Sequence, residues 1–150
     1  MLSQMEQPDC PDNVMNLRDS VEREVHHRIK NHLQGVAGLL RQHADEHPEI
    51  RPIMDATITQ IQAVAAIHGL QGKQADSRVN LCDMVSSIAS TVGGLTKARI
   101  VPSIMADSAM PAQIAENEAV AVALILNELI MNAVKHSTVA EGAQKLSGSA

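Results

Sequence analysis

The chain has 150 residues, enough for one ordinary domain or two small ones and for a real core. Its 45% hydrophobic content excludes a disordered composition. With no Phe, Tyr or Trp, the core must be built from Leu, Ile, Val, Ala and Met, which suits helix-on-helix packing and excludes base-stacking platforms. The net charge of −5 offers no electrostatic footprint for nucleic acid or anionic lipid.

The opening residues 1–12 hold Pro8 and Pro11 among polar side chains and read as a flexible lead-in. They show neither the basic nor the apolar region of a signal peptide. A long helix is predicted from about residue 13 to 46, capped by Asp12 or Asn13. Its apolar positions, Val14, Leu17, Val21, Val25, Ile29, Leu33, Val36 and Leu40, recur in steps of three and four. His47-Pro48 and Arg51-Pro52 bracket a turn, because a residue before proline is pushed out of helical geometry. A second helix follows from about Ile53 to Leu70, with Met54, Ile58, Ile61 and Ala65 on one face. Two such helices form a hairpin whose apolar stripe is too wide for one copy. Two copies pairing as a four-helix bundle bury it, so a homodimer through residues 13–73 is expected.

Residues 72–78 form a polar linker. A third helix is predicted over Leu81–Val92, then a β-like segment, ARIVPSIM, and a loop over 107–115 with Pro111. The last helix, about Glu116 to His136, is apolar on nearly every side and belongs inside a layer. Its longest apolar run, AVAVALIL at 119–126, is less than half of a membrane span. Residues 138–150 are small and polar and read as a disordered tail. Cys10 and Cys82 are far apart and lack metal or redox spacing, so a soluble protein of the reducing cytoplasm is expected.

The segment EREVHHRIKNHLQ (22–34) carries the first candidate chemistry. At 100° per residue, His27 falls nearly opposite the apolar stripe, on the side of Arg23, Lys30, Asn31 and Gln34. His26 sits at the stripe's flank and is the packing histidine of the pair. An exposed imidazole is largely neutral at pH 7 and keeps a lone pair, so His27 can attack a phosphoryl group. Arg28 and Lys30 can offset the incoming charge. The same residues also fit ordinary surface histidines, and His43 with His47, one turn apart, fit two ligands of a zinc site that no third ligand completes.

HHRIKNHLQ resembles the acceptor box of the two-component sensor histidine kinase subfamily with the signature H-R-x-K-N-x-L-Q. His27, Arg28, Lys30, Asn31, Leu33 and Gln34 all match, and IQAVAAIHGL resembles the second bundle helix. The resemblance implies that His27 is phosphorylated. Other histidine kinases place an acidic residue directly after the acceptor; Arg28 stands there, so the base lies elsewhere, with Glu24 or a residue of the nucleotide domain as candidates.

In LILNELIMNAVKHS (124–137), Glu128, Asn132, Lys135 and His136 lie at i, i+4, i+7 and i+8, one stripe of a helix. Carboxylate and amide oxygens suit Mg²⁺, and Lys and His suit phosphate oxygens. A satisfied buried network or a solvated face fits the stripe equally. The stripe resembles the N-box of the Bergerat-type ATP-binding fold at every motif position. That implies Mg-ATP as cofactor, with Asn132 and Glu128 at the metal and Lys135 and His136 at phosphate.

The expected fold is therefore mainly α: a phosphoacceptor hairpin over 13–73 forming a dimeric four-helix bundle, then the incomplete start of an α/β ATP-binding domain over 79–137. The D-x-G-x-G loop that binds adenine in this family does not occur after His136. The leading expectation is a truncated histidine kinase that autophosphorylates His27 from ATP and passes the phosphoryl group to an aspartate on a response-regulator receiver domain. Alone, the chain is expected to be inactive. The alternative is a non-catalytic phosphotransfer and dimerisation module, and a third reading is a helical dimerisation protein without phosphate chemistry.

Overall fold

Steps of three and four without a breaker require one continuous helix, and α1 spans Pro11–Glu46. The computed structural model describes residues 11–74, 78–102 and 112–147, with 11–13 and 138–147 described by backbone alone. Pro48 and Pro52 act as the sequence predicts. A 3₁₀ turn over Pro48–Ile50 reverses the chain, and α2 runs over Arg51–Gln71 with Pro52 in its first turn, where no amide donor is needed. The result is the expected helical hairpin in a mainly α chain of four helices.

Asn80 caps the third helix, α3, which spans Leu81–Thr96; its side chain accepts a hydrogen bond of 2.8 Å from the Cys82 amide. The helix runs through Gly93 and Gly94, beyond the predicted end at Val92. It stops where Lys97 takes the left-handed conformation (φ 56°). The chain then folds back so tightly that a Cβ on Gly93 would lie 3.0 Å from the Ala98 carbonyl oxygen. The predicted β segment is displaced. Residues 98–102 form no strand, while Val79–Asn80 (β1) and Gln113–Ile114 (β2) pair antiparallel, Val79 opposite Ile114 and Asn80 opposite Gln113. The rest of ARIVPSIM, 103–105, lies outside the described residues, as does the lead-in over 1–10.

The last helix, α4, spans Glu116–Ser147 and continues through residues expected to be a disordered tail, where Ala, Glu, Gln, Lys and Leu are good helix formers. Its 22 residues Glu116–Ser137 are apolar and long enough to cross a membrane, which the run 119–126 alone did not suggest. One face of this stretch packs into the core, and the rest is partly or fully exposed among the described residues. Thr59, Ala63, Ile67 and Gln71 step along α2, and Asn127, Ala123, Ala119 and Glu116 step back along α4. Hydrogen bonds close the two ends: Asn127 Nδ2 to Thr59 Oγ1 at 3.3 Å, and Gln71 Nε2 to the Glu116 carbonyl at 3.3 Å.

The core lies where α2, α3 and α4 meet, with Ile67, Val79, Met84, Ile88, Val92, Ala119 and Ala123 fully or almost fully buried. Methionine and branched aliphatic groups fill it without a ring. Ile67→Ala is expected to lower stability by about 2–5 kcal/mol, since it removes transfer energy and leaves a cavity; urea denaturation measures it.

Candidate phosphoacceptor site

The apolar stripe of α1 divides into two faces. His26, Ala37 and Ala44 are buried, and with half-buried Ile29, Leu33 and Leu40 they form the face against α2. Val14, Leu17, Val21 and Val25 are 47–61% exposed, and Val36 and Leu39 extend this uncovered face. The packing face is centred closer to His26 than the sequence alone suggests, because small Ala37 and Ala44 let α2 approach there.

This rotation separates two adjacent histidines. His26 is buried, its Nδ1 3.0 Å from Nδ1 of His68 on α2, with the rings tilted at 32°. Burial, and next any charge on His26, hold His68 below its ordinary pKa, with Glu116 opposing. His27 is exposed on the opposite side, and Nδ2 of Asn31, one turn on, lies 3.4 Å from its Nδ1. Arg28 Nε donates to Glu24 Oε1 at 2.6 Å. That hydrogen bond, followed by the guanidinium charge, holds the Glu24 carboxyl below its ordinary pKa. Glu24 is thus directed to Arg28 rather than poised as a strong base. The side chain of Lys30, from α1, lies against α2, its Cδ 3.1 Å from where a Cβ of Gly69 would be, so part of the basic character of the box faces the hairpin.

On α4, Glu128, Asn132, Lys135 and His136 lie on an exposed face, not inside a layer. Ile125 and Leu129 on the same side are 60% and 59% exposed, so α4 is covered on one side only among the described residues. Gln60 Nε2 donates to Glu128 Oε1 at 2.9 Å, tying the first stripe residue to α2. His43 and His47 do not form a shared site: Nδ1 of His43 contacts the Leu39 carbonyl at 2.9 Å, and His47 faces Glu49 at 3.3 Å.

The sequence reading missed a different grouping, Glu22, His26, His68 and Glu116, drawn from α1, α2 and the first turn of α4. Its members lie up to 94 residues apart, from Glu22 to Glu116. No local spacing could reveal them; the only signal was a histidine placed on an apolar flank.

Residues 24–95 match the family model described as histidine kinase (HisKA_2). The chain is also similar to sensor histidine kinase PdtaS of Mycobacterium tuberculosis, 28% identical over 129 residues, covering 84% of this chain and 25% of that protein. PdtaS of Mycolicibacterium smegmatis is 28% identical over 128 residues, covering 84% and 26%. The chain therefore spans about a quarter of the length of the curated relatives it matches. No solved structure matches it significantly.

Proposed function

We propose, for a chain whose residues 24–95 are a histidine kinase dimerisation and phosphoacceptor segment, that His27 accepts the γ-phosphoryl group of ATP and passes it to an aspartate of a response-regulator receiver domain. The observation that carries this reading is the opposite placement of two neighbouring imidazoles, His26 buried against His68 and His27 open to solvent. A nucleophile must be approached in line by phosphorus, and only His27 leaves room for that.

The Asn31 amide beside Nδ1 of His27 supports a further detail. As placed, its Nδ2 faces Nδ1; a half-turn of the amide would present the oxygen instead, accept the Nδ1 proton and leave the lone pair on Nε2. Nε2 then bonds to the γ-phosphorus as the bond to the bridging oxygen breaks and ADP leaves. Arg28, steadied by Glu24, supplies positive charge one residue away. To act as the base, Glu24 would first have to release Arg28.

Glu128, Asn132, Lys135 and His136 are assigned to Mg-ATP, with Asn132 and Glu128 toward the metal. Their exposed common face supports this, since a nucleotide can reach all four. Magnesium held by Asn132 and Glu128 would withdraw charge from the phosphate oxygens. We also infer a homodimer in which the uncovered face of α1 meets its copy.

The test is to mix the chain with Mg-ATP, alone and with a complete kinase of this type. One acid-labile, base-stable phosphoryl group per chain is expected in the second mixture. Absence of label in both overturns the reading. In the same assay, affinity of these 150 residues alone for Mg-ATP is expected to be millimolar or weaker. Nothing in residues 138–150 supplies the D-x-G-x-G element that reads adenine. Micromolar affinity by calorimetry would contradict that expectation. The hydrogen bond from Gln60 that occupies Glu128 favours a second reading, a phosphotransfer module without its own ATP site. Label that appears only with the added kinase fits that reading, while label with Mg-ATP alone excludes it.

A further inference from the structure

Three ligand-type side chains converge away from both His27 and the α4 stripe. His26 Nε2 lies 3.9 Å from Glu22 Oε1 and 3.8 Å from Glu116 Oε1. Taken one atom per residue, the three donors all lie within 4.8 Å of one another. These separations are too long for hydrogen bonds, so the atoms surround a gap. The imidazole is fixed there, because His26 is only 6% exposed and its other nitrogen is held by His68. Two carboxylates directed at one imidazole nitrogen make a place for positive charge, which a proton on that nitrogen or a bound metal ion supplies.

We propose that Glu22, His26 and Glu116 bind a divalent first-row transition metal of the zinc type. Zinc holds imidazole nitrogen and carboxylate oxygen at roughly 2.0–2.2 Å, which puts two tetrahedral ligands about 3.4 Å apart. The two histidine–glutamate pairs, at 3.8 and 3.9 Å, reach that spacing by closing about half an ångström, and the two glutamate oxygens, within 4.8 Å of each other, by closing up to about 1.4 Å. The glutamate side chains are 45% and 55% exposed, so that movement meets little packing. A fourth position is left for water. One imidazole among carboxylates suits zinc, cobalt or manganese better than the all-oxygen preference of magnesium and calcium.

His68 completes the arrangement as a positioning residue. When His26 carries its proton on Nδ1, it donates to Nδ1 of His68 across 3.0 Å and turns the Nε2 lone pair toward the two carboxylates. Metal-binding imidazoles are held in this way by an acceptor on the second nitrogen. The site joins the acceptor helix, one residue before His27, to the first residue of α4. It is independent of whether His27 is phosphorylated.

Titrating Co²⁺ into the chain, with visible absorbance as readout and Zn²⁺ as displacing ion, tests the proposal. One ion per chain with micromolar affinity is expected. Glu22→Gln and Glu116→Gln are each expected to weaken binding at least about tenfold, and His68→Ala by about ten- to a hundredfold. Both glutamates are exposed enough for their variants to fold, which far-ultraviolet dichroism checks. The double variant His43→Gln/His47→Gln is expected to bind like the parent. The proposal is overturned by no saturable binding up to millimolar Co²⁺, by unchanged binding in both glutamate variants, or by loss of binding in the His43/His47 variant.

Discussion

His27→Gln is expected to abolish the phosphoryl label while leaving the fold and the association of chains unchanged. Glutamine is polar and close in size, and position 27 faces away from both α2 and the uncovered apolar face, so packing has nothing to lose. It lacks a nitrogen lone pair able to attack phosphorus, so chemistry loses everything. The label is diagnostic: protonating a phosphoramidate makes imidazole a good leaving group, so acid releases the phosphate, whereas phosphoserine survives. His26→Gln should keep the label at a reduced rate, since it breaks the contact with His68 and disturbs a buried position. Label that survives in the His27 variant and vanishes in the His26 variant would reverse the assignment.

The second large effect concerns Leu17 and Val21, 60% and 61% exposed on the uncovered face of α1. Fully burying such a side chain contributes about 1.5–3 kcal/mol. A two-fold interface counts each position twice. Leu17→Asp/Val21→Asp removes these gains and brings unpaired carboxylates into an apolar seam. A loss of roughly 6 kcal/mol weakens the dimer about ten-thousandfold. Sedimentation analysis should find monomers at micromolar concentration with helix content retained, because both side chains are mostly exposed within one chain. An unaltered dimer would place the seam elsewhere.

The hairpin was legible in the sequence because its signals are local. Apolar steps of three and four mark α1 and α2, and Pro48 and Pro52 leave only one place to turn. The split between His26 and His27 was legible too, since neighbours on a helix differ by 100° in direction. Where the reading failed, the physics was not local. Strands of two residues, Val79–Asn80 and Gln113–Ile114, have no period to detect, and their pairing depends on chain closure across more than thirty residues. The strongly β-like Ile100 and Val101 lose out because Lys97 turns the chain back onto Gly93. The apolar character of α4 pointed to full enclosure, yet a helix packed on α2 and α3 along one side buries Ala119, Ala123 and Asn127 and leaves Ile125 and Leu129 outside. The convergence of Glu22, His26 and Glu116 depends on how α4 docks, which neither motif encodes.

A core filled by Ile67, Met84, Ile88 and Val92, with no Phe, Tyr or Trp anywhere in the chain, also determines how the molecule can be observed. The protein has no indole or phenol chromophore, so it is nearly dark in the near ultraviolet and has no intrinsic fluorescence. Adenine bound to it can therefore be read directly by its own absorbance. The same darkness removes the usual optical test that separates a packed native state from a molten one, because near-ultraviolet dichroism has no ring to report on. For Ile67→Ala, retained far-ultraviolet dichroism alone would not establish a native interior. The methyl resonances of Met84, Ile88 and Val92 carry that information instead: dispersed in a packed core, and collapsed toward random-coil positions once packing is lost.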